Sequence, residues 1–260
     1  GAAGELTKAI AGRFGVDSNQ IIFGAGSDEI IAMIARAFVG PGDETVMADA
    51  TFPQYRHNCV IENAAIVEVP LKNGTHDLPA MLARVTDKTK VVWVCNPNNP
   101  TGTIVGADEV EAFLSRIPPH VLVVYDEAYC EYIDDPAFPD GAALAKRYPN
   151  VITLRTFSKI YGLASLRIGY GIGHPDVIRA INQVRGPFNT SRAAQAAALA
   201  SLQDDAFVAG CRQSNKDGLR QLNDAFARLG LQAFPAYGNF IMVDVGRPGQ
   251  DVFQEMLRQG

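Results

Sequence analysis

A chain of 260 residues with 47% hydrophobic and 20% charged residues has the composition of an ordinary globular protein, long enough for one large domain and part of a second. A formal net charge of -5 without any run of Lys or Arg offers no basic surface for nucleic acid or anionic lipid, and no apolar stretch reaches transmembrane length. Cys59, Cys95, Cys130 and Cys211 are too widely spaced for a metal knuckle or a disulfide framework. Reduced, buried thiols are expected, and with them a cytoplasmic location. No secretory leader pattern opens the sequence at Gly1.

Strand-like and helix-like stretches alternate along the chain, the pattern of a mostly parallel sheet covered on both faces. Leu6 to Phe14 reads as a helix and Gln20 to Phe23 as a strand, followed by the small, polar Gly24-Ala-Gly-Ser27 and a helix over Asp28 to Phe38. Pro41-Gly42 marks a turn before strands at Thr45–Ala48 and Ala64–Val69, and Tyr55 falls near a helix start. Helices over Asp77–Arg84 and Ala107–Arg116 feed apolar strands at Val91–Cys95 and Val121–Tyr125. Val151–Arg155 and Leu166–Ile172 are further strands. Beyond His174-Pro175 the texture changes to helices at Ile178–Val184, Ala193–Gln203 and Phe207–Leu229, with a strand at Asn239–Val243 and a last helix-like stretch from Asp251. The expected division is a large domain over residues 1–180, then transition helices and a partial small C-terminal domain over 181–260.

Three of the apolar strands run out into polar motifs, and these carry the most information. Val91–Cys95 runs into Asn96-Pro-Asn-Asn-Pro-Thr-Gly102, Val121–Tyr125 into Asp126-Glu-Ala-Tyr129, and Val151–Arg155 into Thr156-Phe-Ser-Lys159. Ligands of open α/β sheets bind just beyond the carboxyl ends of parallel strands, so one crevice would collect a lysine, an asparagine, an aspartate and a tyrosine. That set suits pyridoxal phosphate, which needs an amine for its aldehyde, an acid for its ring nitrogen and hydrogen-bond donors for its phenolic oxygen. Each piece also has a plainer explanation. Lys159 alone could be a solvated lysine, and the prolines and asparagines of 96–102 suit a tight loop. Asp126 could belong to a structural salt bridge, and Ser27 or Asp28 could simply cap a helix. Tyr55 is a core-filling ring unless it stacks on a ligand. Alternatively, the helix start at Ser27 and Asp28 seats a phosphate, aided by Thr156, Ser158 and Arg167, which lies eight residues beyond Lys159.

Taken in order and spacing, these three motifs resemble those of the class I and II aminotransferases of fold type I. Gly26-Ser-Asp-Glu29, the doubled Asn98-Asn99 and Thr156-Phe-Ser-Lys-Ile-Tyr-Gly-Leu-Ala164 resemble the histidinol-phosphate branch of that family. The resemblance implies a mostly parallel seven-stranded sheet flanked by helices, with a partial small α/β domain. It implies that Lys159 carries pyridoxal phosphate and moves the reacting proton. Asp126 would pair with the pyridine nitrogen, while Asn99 and Tyr129 bond the phenolic oxygen and Tyr55 stacks on the ring. Ser27, Asp28, Thr156, Ser158 and Arg167 would hold the phosphate, and Asn239 would lie near the substrate. No metal is called for.

The reaction implied is transamination between L-histidinol phosphate and 2-oxoglutarate. The alternatives are an aromatic amino acid aminotransferase, a phosphothreonine decarboxylase and a non-catalytic pyridoxal-phosphate-binding module. The partners implied are small-molecule substrates and a second copy of the chain in a homodimer, with no nucleic acid and no membrane. Family chains extend further at both ends, with an upstream arm that completes the neighbouring subunit's site and downstream arginines that bind the substrate anion.

Overall fold

The computed structural model describes residues 3–260; Gly1 and Ala2, at the start of the expected large domain, lie outside the described residues. The chain begins with α1 (Gly4–Phe14), β1 (Ile21–Gly24), α2 (Ser27–Phe38), β2 (Glu44–Ala48), α3 (Pro53–Ile61) and β3 (Ala65–Val69). It continues through α4 (Leu78–Ala83), β4 (Thr89–Cys95), α5 (Ala107–Leu114), β5 (Leu122–Asp126), α6 (Gly141–Arg147), β6 (Val151–Thr156) and β7 (Gly169–Gly173). Helices α7 (Pro175–Gln183), α8 (Arg192–Ser201) and α9 (Asp205–Arg228) come next, then β8 (Gln232–Ala233), β9 (Val243–Asp244) and α10 (Gly249–Leu257).

Seven strands form one sheet in the order β1-β7-β6-β5-β4-β2-β3. β2 to β6 pair in parallel, and β7 alone runs antiparallel to both of its neighbours. The expected mostly parallel seven-stranded sheet is therefore present. β4 and β5 are apolar almost throughout because helices cover both faces. One layer of core packs Leu6, Ile10, Phe113, Phe157 and Tyr170 on one side. The other buries Ile30, Ile34, Tyr55, Trp93 and Ile181.

Two strand boundaries depart from expectation. The strand expected from Leu166 begins instead at Gly169, because Ala164–Leu166 form a 3₁₀ turn and Arg167 takes a left-handed φ of 53°. Between Asn239 and Val243 only Val243 pairs in a strand, with Ala233. Helix α6 has no clear periodic signal, being short and alanine-rich; its start is secured by the Asp140 side chain, which accepts from the Ala142 N–H.

β7 reads Gly-Tyr-Gly-Ile-Gly, and the first of its glycines has a packing reason. A Cβ on Gly169 would lie 2.6 Å from the Ser27 amide nitrogen and 3.0 Å from the Arg155 carbonyl oxygen. The absent side chain lets the start of α2 rest directly on the sheet. Neither neighbour is a movable side-chain tip, so Gly169→Ala is expected to cost about 2 kcal/mol of stability, as urea unfolding would register. An unchanged midpoint would show that α2 can retreat freely.

Candidate active site

β4, β5 and β6 lie side by side in parallel with their carboxyl ends level: Cys95 is opposite Asp126, and Asp126 is opposite Leu154. The loops that leave these ends line a cleft of about 290 Å³ bounded by Ser27, Asp28, Phe52, Cys95, Asn99, Asp126, Tyr129, Thr156, Ser158, Lys159 and Arg167, among others. Two larger grooves, of about 620 and 590 Å³, run beside α1. No buried ionisable side chain lines either one, so the smaller cleft is the chemically equipped one.

The three asparagines after β4 divide their work. Asn96 is fully buried, donates to the Val105 carbonyl and to the Tyr125 hydroxyl, and accepts from the Val105 amide. Asn98, also fully buried, donates to the Ala50 carbonyl and to Thr101 Oγ1, and accepts from Thr51 Oγ1. These two pin the loop. Asn99 faces the cleft, its Nδ2 donating over 3.3 Å to the Tyr129 hydroxyl. Tyr129 itself is buried and held edge-on against Phe240, with 5.1 Å between centroids; burial keeps its phenol above the ordinary range.

Asp126 is 3% exposed. Its Oδ2 accepts from the Tyr55 hydroxyl at 2.7 Å and its Oδ1 from the Ala128 amide at 3.2 Å. Burial raises its pKa to about 6, against the lowering effect of those two hydrogen bonds; Asp28 adds to the rise and Lys159 opposes it. A carboxyl so placed ionises more readily when a cation enters the cleft. The Lys159 ammonium sits 5.2 Å from the centre of the Tyr129 ring, within reach of any ligand held between them. On the other side of the sheet end, the fully buried Glu127 accepts from Arg155 Nε at 2.6 Å. This ion pair joins the residue after Asp126 to the residue before Thr156. Gly141 leaves room for it, since a Cβ there would lie 2.5 Å from Glu127 Oε1.

The far end of the cleft is built for an anion. α2 begins at Ser27 with Gly26 as its N-cap, and no side chain caps it, so its first N–H groups are open. Ser27 and Asp28 are therefore helical residues, not caps. Thr156 Oγ1 donates to Ser158 Oγ at 2.9 Å and accepts from the Ser158 amide. Arg167 pairs with Asp28 at 2.8 Å and reaches the Ala25 and Ala164 carbonyls. Gly26 has φ of 81°, and a Cβ on it would lie 2.4 Å from Arg167 Nη2; glycine alone lets the guanidinium approach.

Two residues stand elsewhere than expected. Tyr55 is absent from the cleft wall: its fully buried ring stacks on Trp93 at 4.9 Å, and only its hydroxyl points to the site, through Asp126. Phe52, just ahead of α3, lines the cleft instead, together with Tyr129. The α3 sequence holds the clue, because Tyr55 and Cys59, four apart, form its buried stripe. Asn239 is exposed and does not border the cleft, although its neighbour Phe240 packs on Tyr129.

The raised pKa of Asp126 gives a stability signature. A carboxyl bound more tightly to its proton in the folded state adds stability below the unfolded pKa near 4 and loses it as pH rises through about 6. Asp126→Asn is therefore expected to gain on the parent by about 2 kcal/mol between pH 4 and pH 8 in the cofactor-free chain. Urea unfolding at the two pH values measures this, and parallel pH profiles for the two chains would contradict it.

Comparison with known proteins places this geometry in a family. The model of the aminotransferase class I and II family matches residues 2–260. Histidinol-phosphate aminotransferase of Brevibacillus brevis is 52% identical over 260 residues, which are 100% of this chain and 71% of that protein. Among solved structures, histidinol-phosphate aminotransferase from Sinorhizobium meliloti in complex with pyridoxal-5'-phosphate superposes with a TM-score of 0.90 at 33% identity, covering 94% of this chain and 67% of that one. L-threonine-O-3-phosphate decarboxylase from Porphyromonas gingivalis, at 24% identity and a TM-score of 0.82 over 95% of this chain and 72% of that one, shares the fold. The parallel strand ends, the cleft and these similarities together show that the chain belongs to the class I and II aminotransferase family.

Proposed function

We propose that this chain binds pyridoxal phosphate in the cleft and transfers the amino group of L-histidinol phosphate to 2-oxoglutarate, yielding imidazole-acetol phosphate and L-glutamate, a step of histidine biosynthesis. The observation that supports it most is the convergence of Lys159, Asp126, Asn99 and Tyr129 on one cleft whose other end is an uncapped helix start with Arg167 beside it. The choice of substrate comes from the relatives, which are named for this reaction.

The donor set fits the cofactor group by group. The open N–H groups at Ser27 and Asp28, the hydroxyls of Thr156 and Ser158 and the Arg167 guanidinium suit a phosphate. The Asp28 carboxylate keeps the guanidinium aimed at that end. Buried Asp126 suits a protonated ring nitrogen, because a carboxylate in a low-dielectric pocket binds a cation strongly. Asn99 Nδ2 and the Tyr129 hydroxyl, already bonded to each other, can turn toward a phenolic oxygen. We place Phe52 against the ring face and Asn239, beside Phe240, on the substrate side.

When bound, pyridoxal phosphate supplies a carbonyl for the amine and an electron sink for the pair left on the substrate α-carbon. The protein's part is to hold charge and move a proton. Lys159 Nζ would hold the cofactor through its amine and, once released, would take up and return the α-proton. Asp126 keeps the ring nitrogen protonated and so stabilises the developing negative charge. Asn99 and Tyr129 fix the phenolic oxygen. In this reading residues 1–180 hold the cofactor, residues 181–260 belong to the substrate-side domain, and the enzyme works as a homodimer in the cytoplasm. Among the described residues no helix is long and apolar enough to cross a membrane.

The test is an absorption spectrum with pyridoxal phosphate before and after adding L-histidinol phosphate, then an assay of glutamate formed from 2-oxoglutarate. A visible band that the amine discharges, with glutamate formed, is expected. Lys159→Ala should abolish the band and cut turnover roughly 10³-fold or more, while Asp126→Ala should retain some cofactor and lose about 10²-fold or more. A band unmoved by this amine would overturn the substrate, and full turnover in Lys159→Ala would overturn the mechanism.

A further inference from the structure

The hydroxyl of Tyr55 is expensive to bury, since a phenylalanine would fill the same space without desolvating an O–H. That hydroxyl has one hydrogen-bond partner, Asp126 Oδ2 at 2.7 Å. The ring that carries it is immobilised on two sides. It stacks on Trp93 with centroids 4.9 Å apart and planes 15° apart, and Phe52 meets it edge-on at 5.6 Å. Trp93 is anchored in turn: its indole N–H donates to Thr45 Oγ1 at 2.7 Å, and that hydroxyl donates to the Val91 carbonyl at 3.0 Å. A buried chain of contacts thus runs from β2 through β4 and α3 to the one carboxylate at the end of β5.

We propose that Tyr55 is a positioning residue for Asp126, holding the carboxylate's orientation and favouring its ionised form so that it can pair with the cationic ring nitrogen of the bound cofactor. This inference rests on the role given to Asp126 above. A hydrogen bond to the charged form of a carboxyl opposes the cost of burial, and here it is the larger of the two bonds that do so. The other groups facing Asp126 are Asp28 from α2, which disfavours its charge, and Lys159 from the end of β6, which favours it. Cys95 from β4 and Tyr129 after β5 also face it, both with pKa values raised by burial. Burial likewise keeps the Tyr55 phenol protonated, so it remains a donor wherever the enzyme would work. Phe52, which meets Tyr55 edge-on, lines the cleft, while Tyr55 holds the acid from within the core.

The experiment is to track the Asp126 carboxyl carbon by ¹³C NMR through a pH titration of the cofactor-free chain, the signal being assigned by its loss in Asp126→Asn. In Tyr55→Phe, which keeps the stack on Trp93, the midpoint should move up by about one pH unit. Placing 3-fluorotyrosine at position 55, a stronger donor, should move it down, and this second variant decides the matter if the first does not fold. The affinity of Tyr55→Phe for pyridoxal phosphate should fall about tenfold at pH 7. A midpoint that moves in neither variant overturns the inference whatever the cofactor does. Movement in the expected directions, with a parent chain that takes up no pyridoxal phosphate, upholds the Tyr55–Asp126 coupling and overturns the proposed function instead.

Discussion

The level carboxyl ends of β4, β5 and β6 are the constraint on which the site depends. Parallel pairing at adjacent positions brings residues from three distant stretches of chain to one edge, so that Asn99, Asp126, Tyr129, Thr156 and Lys159 line the same crevice. The sheet must be covered on both faces for this to hold, which is why the strands are apolar and why Asp126 is buried. Its carboxyl is the acidic group of the cleft removed from water; Asp28, at the phosphate end, is exposed. The cleft's chemistry therefore stems from the fold's need to hide its strand ends.

Much of the surrounding structure holds that edge still. Asn96 and Asn98 tie the loop after β4 back onto β5's Tyr125 and onto Ala50. The Glu127–Arg155 pair joins the ends of β5 and β6 from the opposite face. A buried pair of this kind is weak evidence of added stability, but its placement between the Asp126 and Thr156 turns restricts how those turns move. On the other flank Gly169 of β7 lets the start of α2 rest on the sheet, which sets the open helix start beside Thr156 and Ser158. Asp28 and Asp126 sit on regular elements, while Lys159 and Arg167 sit in the connection between β6 and β7, where Arg167 is held by Asp28 and by the Ala25 and Ala164 carbonyls. Preorganisation of this sort is where electrostatic catalysis obtains its strength.

The alternation of strands and helices was legible because each element's pattern is local: apolar runs broken by Gly, Pro and Asn. The strand-end motifs were legible for the same reason. Where the pattern misled, the cause was non-local. Leu166 and Arg167 have a strand's texture, yet Arg167 turns left-handed to reach Asp28, 139 residues away in sequence. Tyr55 carried the correct signal of core burial in its spacing with Cys59, but its hydroxyl contact with Asp126, 71 residues distant, is invisible in one dimension. Phe52 was overlooked because nothing in Thr51-Phe-Pro53 distinguishes a ring facing a cleft from one facing the core.

By itself the sequence determined the α/β class, the order of elements and the inventory of polar groups at the strand ends, since these depend on periodicity and on neighbours along the chain. Only the tertiary structure decided what Asn96 and Asn98 hold, which of Phe52 and Tyr55 lines the cleft, and which partner fixes the buried acid. Those outcomes turn on where a side chain finds room and a hydrogen-bond partner, and both are supplied by residues far away in the chain.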